Sequence, residues 1–219
     1  MLERILPASA IVTATCEDLD AELHPEEEEV VSHAVEKRRR EFVTARACAR
    51  EGLAQLGRPD QPIPCGDRGQ PLWPDGIVGS ITHCDGYRAC AVARRTELST
   101  IGVDAEPNQP LPEGLLEDIA LPEEREWLRH LARKEPGTQW DRLLFSIKES
   151  IYKAWFPLAE RWLGFEDAVV AIDFPAETFS AHLLVPGPIL DGRELRSFRG
   201  RWLAADGLVM AAIATPPDR

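Results

Sequence analysis

Several things are missing from this chain, and each absence closes a class of function. There is no Cys-x-x-Cys pair, and the five cysteines (Cys16, Cys48, Cys65, Cys84, Cys90) are an odd number. Reduced, mostly packed thiols in the cytoplasm are therefore expected, rather than a disulfide framework or a zinc site. Neither a Gly-x-Gly-x-x-Gly nor a Walker loop is present, so no Rossmann or P-loop nucleotide site is indicated. No apolar run approaches the ~20 residues of a membrane span. The segment Ile5 to Ala14, broken by Pro7, Ser9 and Thr13 and preceded by no basic n-region, reads as a strand rather than a secretion signal. Cations are scarce as well: 25 Lys and Arg against 37 Asp and Glu give a formal charge of −12. That balance disfavours general nucleic-acid or acidic-membrane binding but leaves room for a local basic pocket.

What is present is a chain of 219 residues, 44% hydrophobic, enough for one large domain or two small ones. Pro25 and Glu26 to Glu29 open a helix in which Val31, Val35, Phe42, Ala45, Ala49, Leu53 and Leu56 recur, with Gly57 placed to end it. Its basic cluster includes Arg38 and Arg46, which fall on or beside the apolar stripe. An arginine there needs a carboxylate or an anionic ligand, and the sequence leaves both open. A Pro- and Gly-rich loop over 57–76 carries Arg68 between two glycines. Ile77 to Thr82 and Tyr87 to Ala93 form a hairpin, with Thr82 and His83 at the strand end. The second half offers a short helix in 108–121, helices from Pro122 and from Trp140 to Phe156 (ended by Pro157), and late strands including a hairpin turned by Asp206-Gly207. Both halves hold a long helix and a late hairpin, with a boundary near 95–101.

Two stretches carry chemistry. In Ile101-Gly102-Val103-Asp104-Ala105-Glu106 the apolar residues face one way and the two acids the other. Two carboxylates with Cα atoms ~6.6 Å apart on one strand face repel by roughly 2–3 kcal/mol at an effective dielectric near 20. Water, a basic side chain or a divalent cation must offset that. In the helix around 142–158, Leu144, Ile147, Ile151, Ala154 and Leu158 make one stripe; Arg142, Ser146, Glu149 and Lys153 share the opposite face. A solvated Glu–Lys pair explains that face by itself. Glu149 facing Asp104 and Glu106 would instead make an all-oxygen set suited to Mg²⁺ or Mn²⁺.

Gly102-Val103-Asp104-Ala105-Glu106, followed by Phe145-Ser146-Ile147-Lys148-Glu149-Ser150-Ile151-Tyr152-Lys153-Ala154, resembles the signature pair of 4′-phosphopantetheinyl transferases. Arg39-Arg40-Glu41-Phe42, Arg46-Ala47-Cys48-Ala49-Arg50, Trp73-Pro74, Gly79-Ser80-Ile81-Thr82-His83 and Trp155-Phe156-Pro157 are similar to the enterobactin-synthetase-component-D branch, which includes actinobacterial transferases. The resemblance implies an α+β fold of two similar halves, 1–98 and 99–219, with coenzyme A in the cleft between them. It implies a monomeric, cytoplasmic enzyme that binds neither membrane nor nucleic acid. A serine of an acyl or peptidyl carrier protein, in polyketide or peptide synthesis, would attack the β-phosphate of coenzyme A and release adenosine 3′,5′-bisphosphate. Asp104, Glu106 and Glu149 match the Mg²⁺ carboxylates, and Lys153 the lysine near the pyrophosphate. Arg38, Arg46, Arg68, His83, Thr82 and Lys148 complete the expected coenzyme set. Cys65 stands where some relatives carry lysine, leaving Arg68 to supply that charge. Glu149 or a metal-bound water would take the serine proton. A phosphohydrolase acting on coenzyme A or a nucleotide, and a non-catalytic coenzyme A-binding protein, are the competing readings.

Overall fold

The structure, a computed structural model, describes residues 1–217. A 3₁₀ turn (Leu2–Arg4) leads into β1 (Ile11–Thr15), a strand that begins later than the expected Ile5. The long helix expected from Pro25 is two: α1 (Pro25–Val31) and α2 (Glu36–Gln55). The Ser32 hydroxyl bonds the Glu29 carbonyl at 2.9 Å, offering the backbone a local alternative to another helical turn. A hairpin of β2 (Ile77–Cys84) and β3 (Tyr87–Arg94) follows, then β4 (Thr100–Pro107), α3 (Leu115–Ile119), α4 (Pro122–Lys134) and α5 (Trp140–Ala159). The chain ends in β5 (Ala168–Asp173), β6 (Thr178–Leu183), the two-residue β7 (Ile189–Leu190) and β8 (Arg193–Glu194), then β9 (Ser197–Ala205) and β10 (Leu208–Thr215). This is the α+β class expected from the sequence. Pro157 does not end α5, which runs on to Ala159.

Besides the two-stranded β7-β8 ladder, two larger antiparallel sheets are formed, one ordered β1-β3-β2 and one ordered β4-β10-β9-β6-β5. They meet at β2 and β4, whose edges run the same way. There the joining acceptors are side chains: the N–H groups of Val103 and Ala105 donate to Ser80 Oγ and Thr82 Oγ1, each at 3.0 Å. Alternation along the strands then sorts the cores. Ala89, Ala91, Ile101, Val103, Ala105, Met210 and Ala212 share one core that spans both sheets. Cys90 and Val92 turn to the other face and meet Cys48, Ala49 and Leu53 of α2. Val209, Ala211 and Ile213 likewise meet Leu144, Ile147, Ile151 and Ala154 of α5.

Gly102 decides how closely α5 can lie. A Cβ there would stand 2.0 Å from the Ser150 carbonyl oxygen and 2.7 Å from the Ala154 nitrogen, both backbone atoms of α5. Thr100 Oγ1 adds a bond to the Ala154 carbonyl at 2.8 Å. No rotamer can relieve a backbone clash, so Gly102→Ala must push helix and strand apart. Chemical denaturation of that variant should show a loss of about 3 kcal/mol, at the upper end of the usual overpacking range; a midpoint unchanged from the parent would contradict the contact.

Candidate active site

The close approach of α5 to β4 sets one wall of a cleft of about 460 Å³. Asp104, Glu106, Glu149 and Lys153 line that wall; Arg38, Arg46, Cys65, Arg68 and His83 line the other, from α2, the 57–76 loop and β2. Two stretches far apart in sequence thus converge, and the acidic and basic groups face one cavity. Tyr152 belongs both to this cleft and to a smaller apolar pocket of about 90 Å³ bordered by Trp162, Leu163 and Phe165.

The acidic wall is held by internal cations. Lys153 Nζ lies 2.8 Å from Asp104 Oδ1 and also donates to the Val103 carbonyl at 3.1 Å. Arg142 Nη1 donates to Glu106 Oε2 at 3.1 Å. Burial and then the neighbouring Asp104 charge push the Glu106 carboxyl up to about 6. The same two causes, in the same order, raise Glu149 above the usual carboxylate range, with Lys153 opposing. The repulsion expected for an acid pair on one strand face thus ranks behind burial, and Arg142 and Lys153 offset part of it.

On the basic wall, Arg46 is 4% exposed. Burial lowers its pKa, while Cys65 and Glu27 favour its charge. Its Nη2 donates to Cys65 Sγ at 3.1 Å, its guanidinium covers the Phe42 ring at 4.4 Å, and its buried Nε has no hydrogen-bond partner. Arg38, half exposed, donates from Nη1 to His83 Nε2 at 2.6 Å. Burial, then the Arg38 charge, lowers the His83 pKa, so its ring is neutral at pH 7 with the proton on Nδ1, facing Glu41 at 3.7 Å. Arg68 is exposed at the cleft edge, free to swing.

Three expectations fail. Thr82 is 1% exposed and is not a cleft-lining residue; its hydroxyl takes the Ala105 N–H and reaches Asp104 Oδ1 at 3.4 Å. Lys148 leaves the cleft on the other side of α5, where Nζ meets Glu124 at 2.8 Å and the carbonyls of Phe165 and Ala168 at 2.7 and 3.2 Å. Ser146 is fully buried, because that face of α5 packs rather than meeting solvent.

Sequence reasoning missed two buried glutamates that do the same job in each half. Glu27 and Glu124, both 0% exposed, are the third residues of helices that begin with proline. Each accepts its own N-cap N–H (His24 at 3.0 Å, Leu121 at 2.8 Å) and a distant N–H (Ile63 at 2.9 Å, Val170 at 2.7 Å). Each also faces a cation of the long helix: Arg50 at 2.7 Å, with Arg46 at 3.8 Å, for Glu27, and Lys148 for Glu124. The shared Pro-Glu-Glu beginnings at 25–27 and 122–124 were the available signal.

A divalent cation fits the acidic wall by donor chemistry. Asp104 Oδ2 is buried without a hydrogen-bond partner, and the three carboxylates facing the cleft are hard oxygen donors. As their side chains stand, however, no group of three acids, histidines or cysteines among the described residues is gathered tightly enough to hold a metal.

Comparison with known proteins decides the family. A family described as "4'-phosphopantetheinyl transferase N-terminal domain" matches residues 26–93, and "4'-phosphopantetheinyl transferase superfamily" matches 100–204. The 4'-phosphopantetheinyl transferase Svp of Streptomyces mobaraensis is 51% identical over 98% of this chain and 89% of its own. The chain belongs to the 4′-phosphopantetheinyl transferase superfamily. The 4'-phosphopantetheinyl transferase Npt of Nocardia iowensis is 52% identical, covering 98% of this chain and 99% of its own. A more distant match, enterobactin synthase component D of Salmonella typhimurium, is 35% identical over 84% of this chain and 76% of its own.

Two outcomes follow from these environments. A carboxyl raised in the fold binds its proton more tightly folded than unfolded, so its contribution favours folding at low pH and is lost as pH rises through about 6. In chelator-treated protein, Glu106→Gln should therefore gain roughly 1 kcal/mol over the parent at pH 7, allowing for its retained contact to Arg142, and nothing at pH 4. Equal denaturation curves at both pH values would contradict this. Lys148→Met, which leaves buried Glu124 uncompensated, should cost about 3–5 kcal/mol. A denaturation midpoint unchanged from the parent would contradict the buried pair.

Proposed function

We propose that this protein transfers the 4′-phosphopantetheine arm of coenzyme A to a serine of an apo acyl or peptidyl carrier protein, releasing adenosine 3′,5′-bisphosphate. Residues 1–98 supply the basic wall for the coenzyme and 99–219 the acidic, reacting wall. The single observation that carries the reading is the opposition of those walls across one cavity in an otherwise acidic chain. A diphosphate needs cations on one side and a route for charge neutralisation on the other.

Asp104, Glu106 and Glu149 would hold Mg²⁺, which supplies positive charge to the phosphoryl oxygens as the bond to the leaving group breaks. Mn²⁺ has the same hard-oxygen preference. Lys153, which lines the same wall, would face the diphosphate with its ammonium. Arg46 offers a buried, partly unsatisfied guanidinium, with Arg38 and Arg68 as more mobile phosphate donors. Neutral His83, turned by Arg38, adds a hydrogen-bonding edge rather than a charge. The serine proton would pass to Glu149 or to a water held beside it: burial and Asp104 raise the proton affinity of Glu149 in the empty cleft, and direct binding of a divalent cation would lower it again.

No helix among the described residues is long and apolar enough to cross a membrane. In the 111–121 segment Leu111, Ile119 and Ala120 are buried, while Pro112, Glu113, Gly114, Glu117 and Asp118 are exposed. Ile119 is 1% exposed and Leu116 rests on the α5 core.

Mass spectrometry of an apo-carrier incubated with coenzyme A, Mg²⁺ and the protein should show a gain of one phosphopantetheine arm. Chelation, Asp104→Ala or Glu149→Ala should each reduce that labelling by more than about 10³-fold, the scale for losing a preorganised electrostatic group. Coenzyme A turnover without any carrier would favour hydrolysis instead, and tight binding without product a non-catalytic role.

A further inference from the structure

Arg142 stands on the cleft side of α5, two turns before Glu149, and has no part in the chemistry above. Its side chain is 18% exposed and makes three directed contacts. Besides Glu106, Nε donates to the Gln109 carbonyl at 3.1 Å and Nη2 to the Pro110 carbonyl at 3.0 Å. The segment leaving β4 is thus wrapped around one guanidinium. Neighbouring bonds tie the same segment to the start of α5: Leu111 N–H to Asp141 Oδ2 at 2.9 Å, and Gln139 N–H to Asn108 Oδ1 at 2.8 Å.

Each acid of β4 therefore has an internal cation, but the two cations differ. Lys153 is a point charge on a flexible stem and can move off Asp104. Arg142 is fixed by two carbonyls whether or not Glu106 stays with it. A divalent ion entering the cleft must draw Glu106 away from a positive charge that remains where it is.

We infer that Arg142 is a positioning residue that holds Glu106 in reserve, weakening the affinity of the empty protein for a divalent cation and making Glu106 the last carboxylate to engage. This rests on the reading that Asp104, Glu106 and Glu149 hold the ion. Bound diphosphate, itself anionic, would attract the ion directly and offset the affinity that Arg142 withholds, so that ion and substrate are taken up together.

The test is Mn²⁺ titration of the full chain without coenzyme A at pH 7.5, followed by calorimetry, for the parent, Arg142→Gln and Arg142→Lys. Removing the charge should tighten Mn²⁺ binding at least fivefold in R142Q. R142K keeps the charge while giving up the forked contacts, and should stay within twofold of the parent. Thermal melts monitor folding; Arg142→Met, which keeps the stem's packing, replaces R142Q if the latter does not fold. Unchanged or weaker binding in the neutral variant overturns the inference, as does equal tightening in R142K, which would assign the effect to the loop. Absence of Mn²⁺ binding in the parent and every variant overturns the ion reading itself, and is distinguishable because an error about Arg142 alone leaves the parent binding normally.

Discussion

The backbone contact between Gly102 and α5 is the constraint on which the site depends. A helix that packs on a strand through side chains sits roughly a side chain's length away; here the missing Cβ lets the α5 backbone rest on the β4 backbone. Glu149 and Lys153, projecting from that helix, are thereby carried to the level of Asp104, which projects from the same face of the strand. The ion pair at 2.8 Å between Lys153 and Asp104 follows from this approach rather than causing it. A site built from one strand and one helix, both buried on their other faces, holds its acids on rigid elements.

Much of this was readable in the sequence because the signals were local. The alternation of Ile101, Val103 and Ala105 against Asp104 and Glu106 gave β4 its two faces, and Asp206-Gly207 marked a hairpin that the structure contains. What escaped was whatever depended on distant partners. Glutamates in a first turn look solvent-facing, since the helix dipole alone accounts for them; Glu27 and Glu124 are buried only because Ile63 and Val170 bring N–H groups from 36 and 46 residues away. Lys148 neighbours Glu149 in sequence and belongs to the signature stretch, yet one residue is about 100° of rotation on a helix. That rotation takes it to Glu124. Thr82 lies beside the cleft in sequence but is consumed by the seam between the sheets.

The buried glutamates also show how a strongly acidic chain builds a cationic wall. Glu27 meets Arg50 closely and Arg46 at 3.8 Å, leaving Arg46 charged but incompletely satisfied. Glu124 meets Lys148 directly and encloses it. One arrangement thus gives two results: in the first half it presents a cation to the cavity, and in the second it locks a cation into the core. The overall charge of −12 therefore says little about the field inside the cleft.

The seam between β2 and β4 has a mechanical consequence. Where neighbouring strands share a ladder, their separation is fixed near 4.8 Å by bonds between main chains. Here Ser80 and Thr82 place a hydroxyl between the two backbones, each joined by a single bond at 3.0 Å. A hydroxyl can rotate about its side-chain torsion and keep its partner while the strands shift, which a carbonyl in a ladder cannot do. The seam is thus joined through side-chain hydroxyls that can turn without breaking either main-chain ladder, over a core that both sheets share.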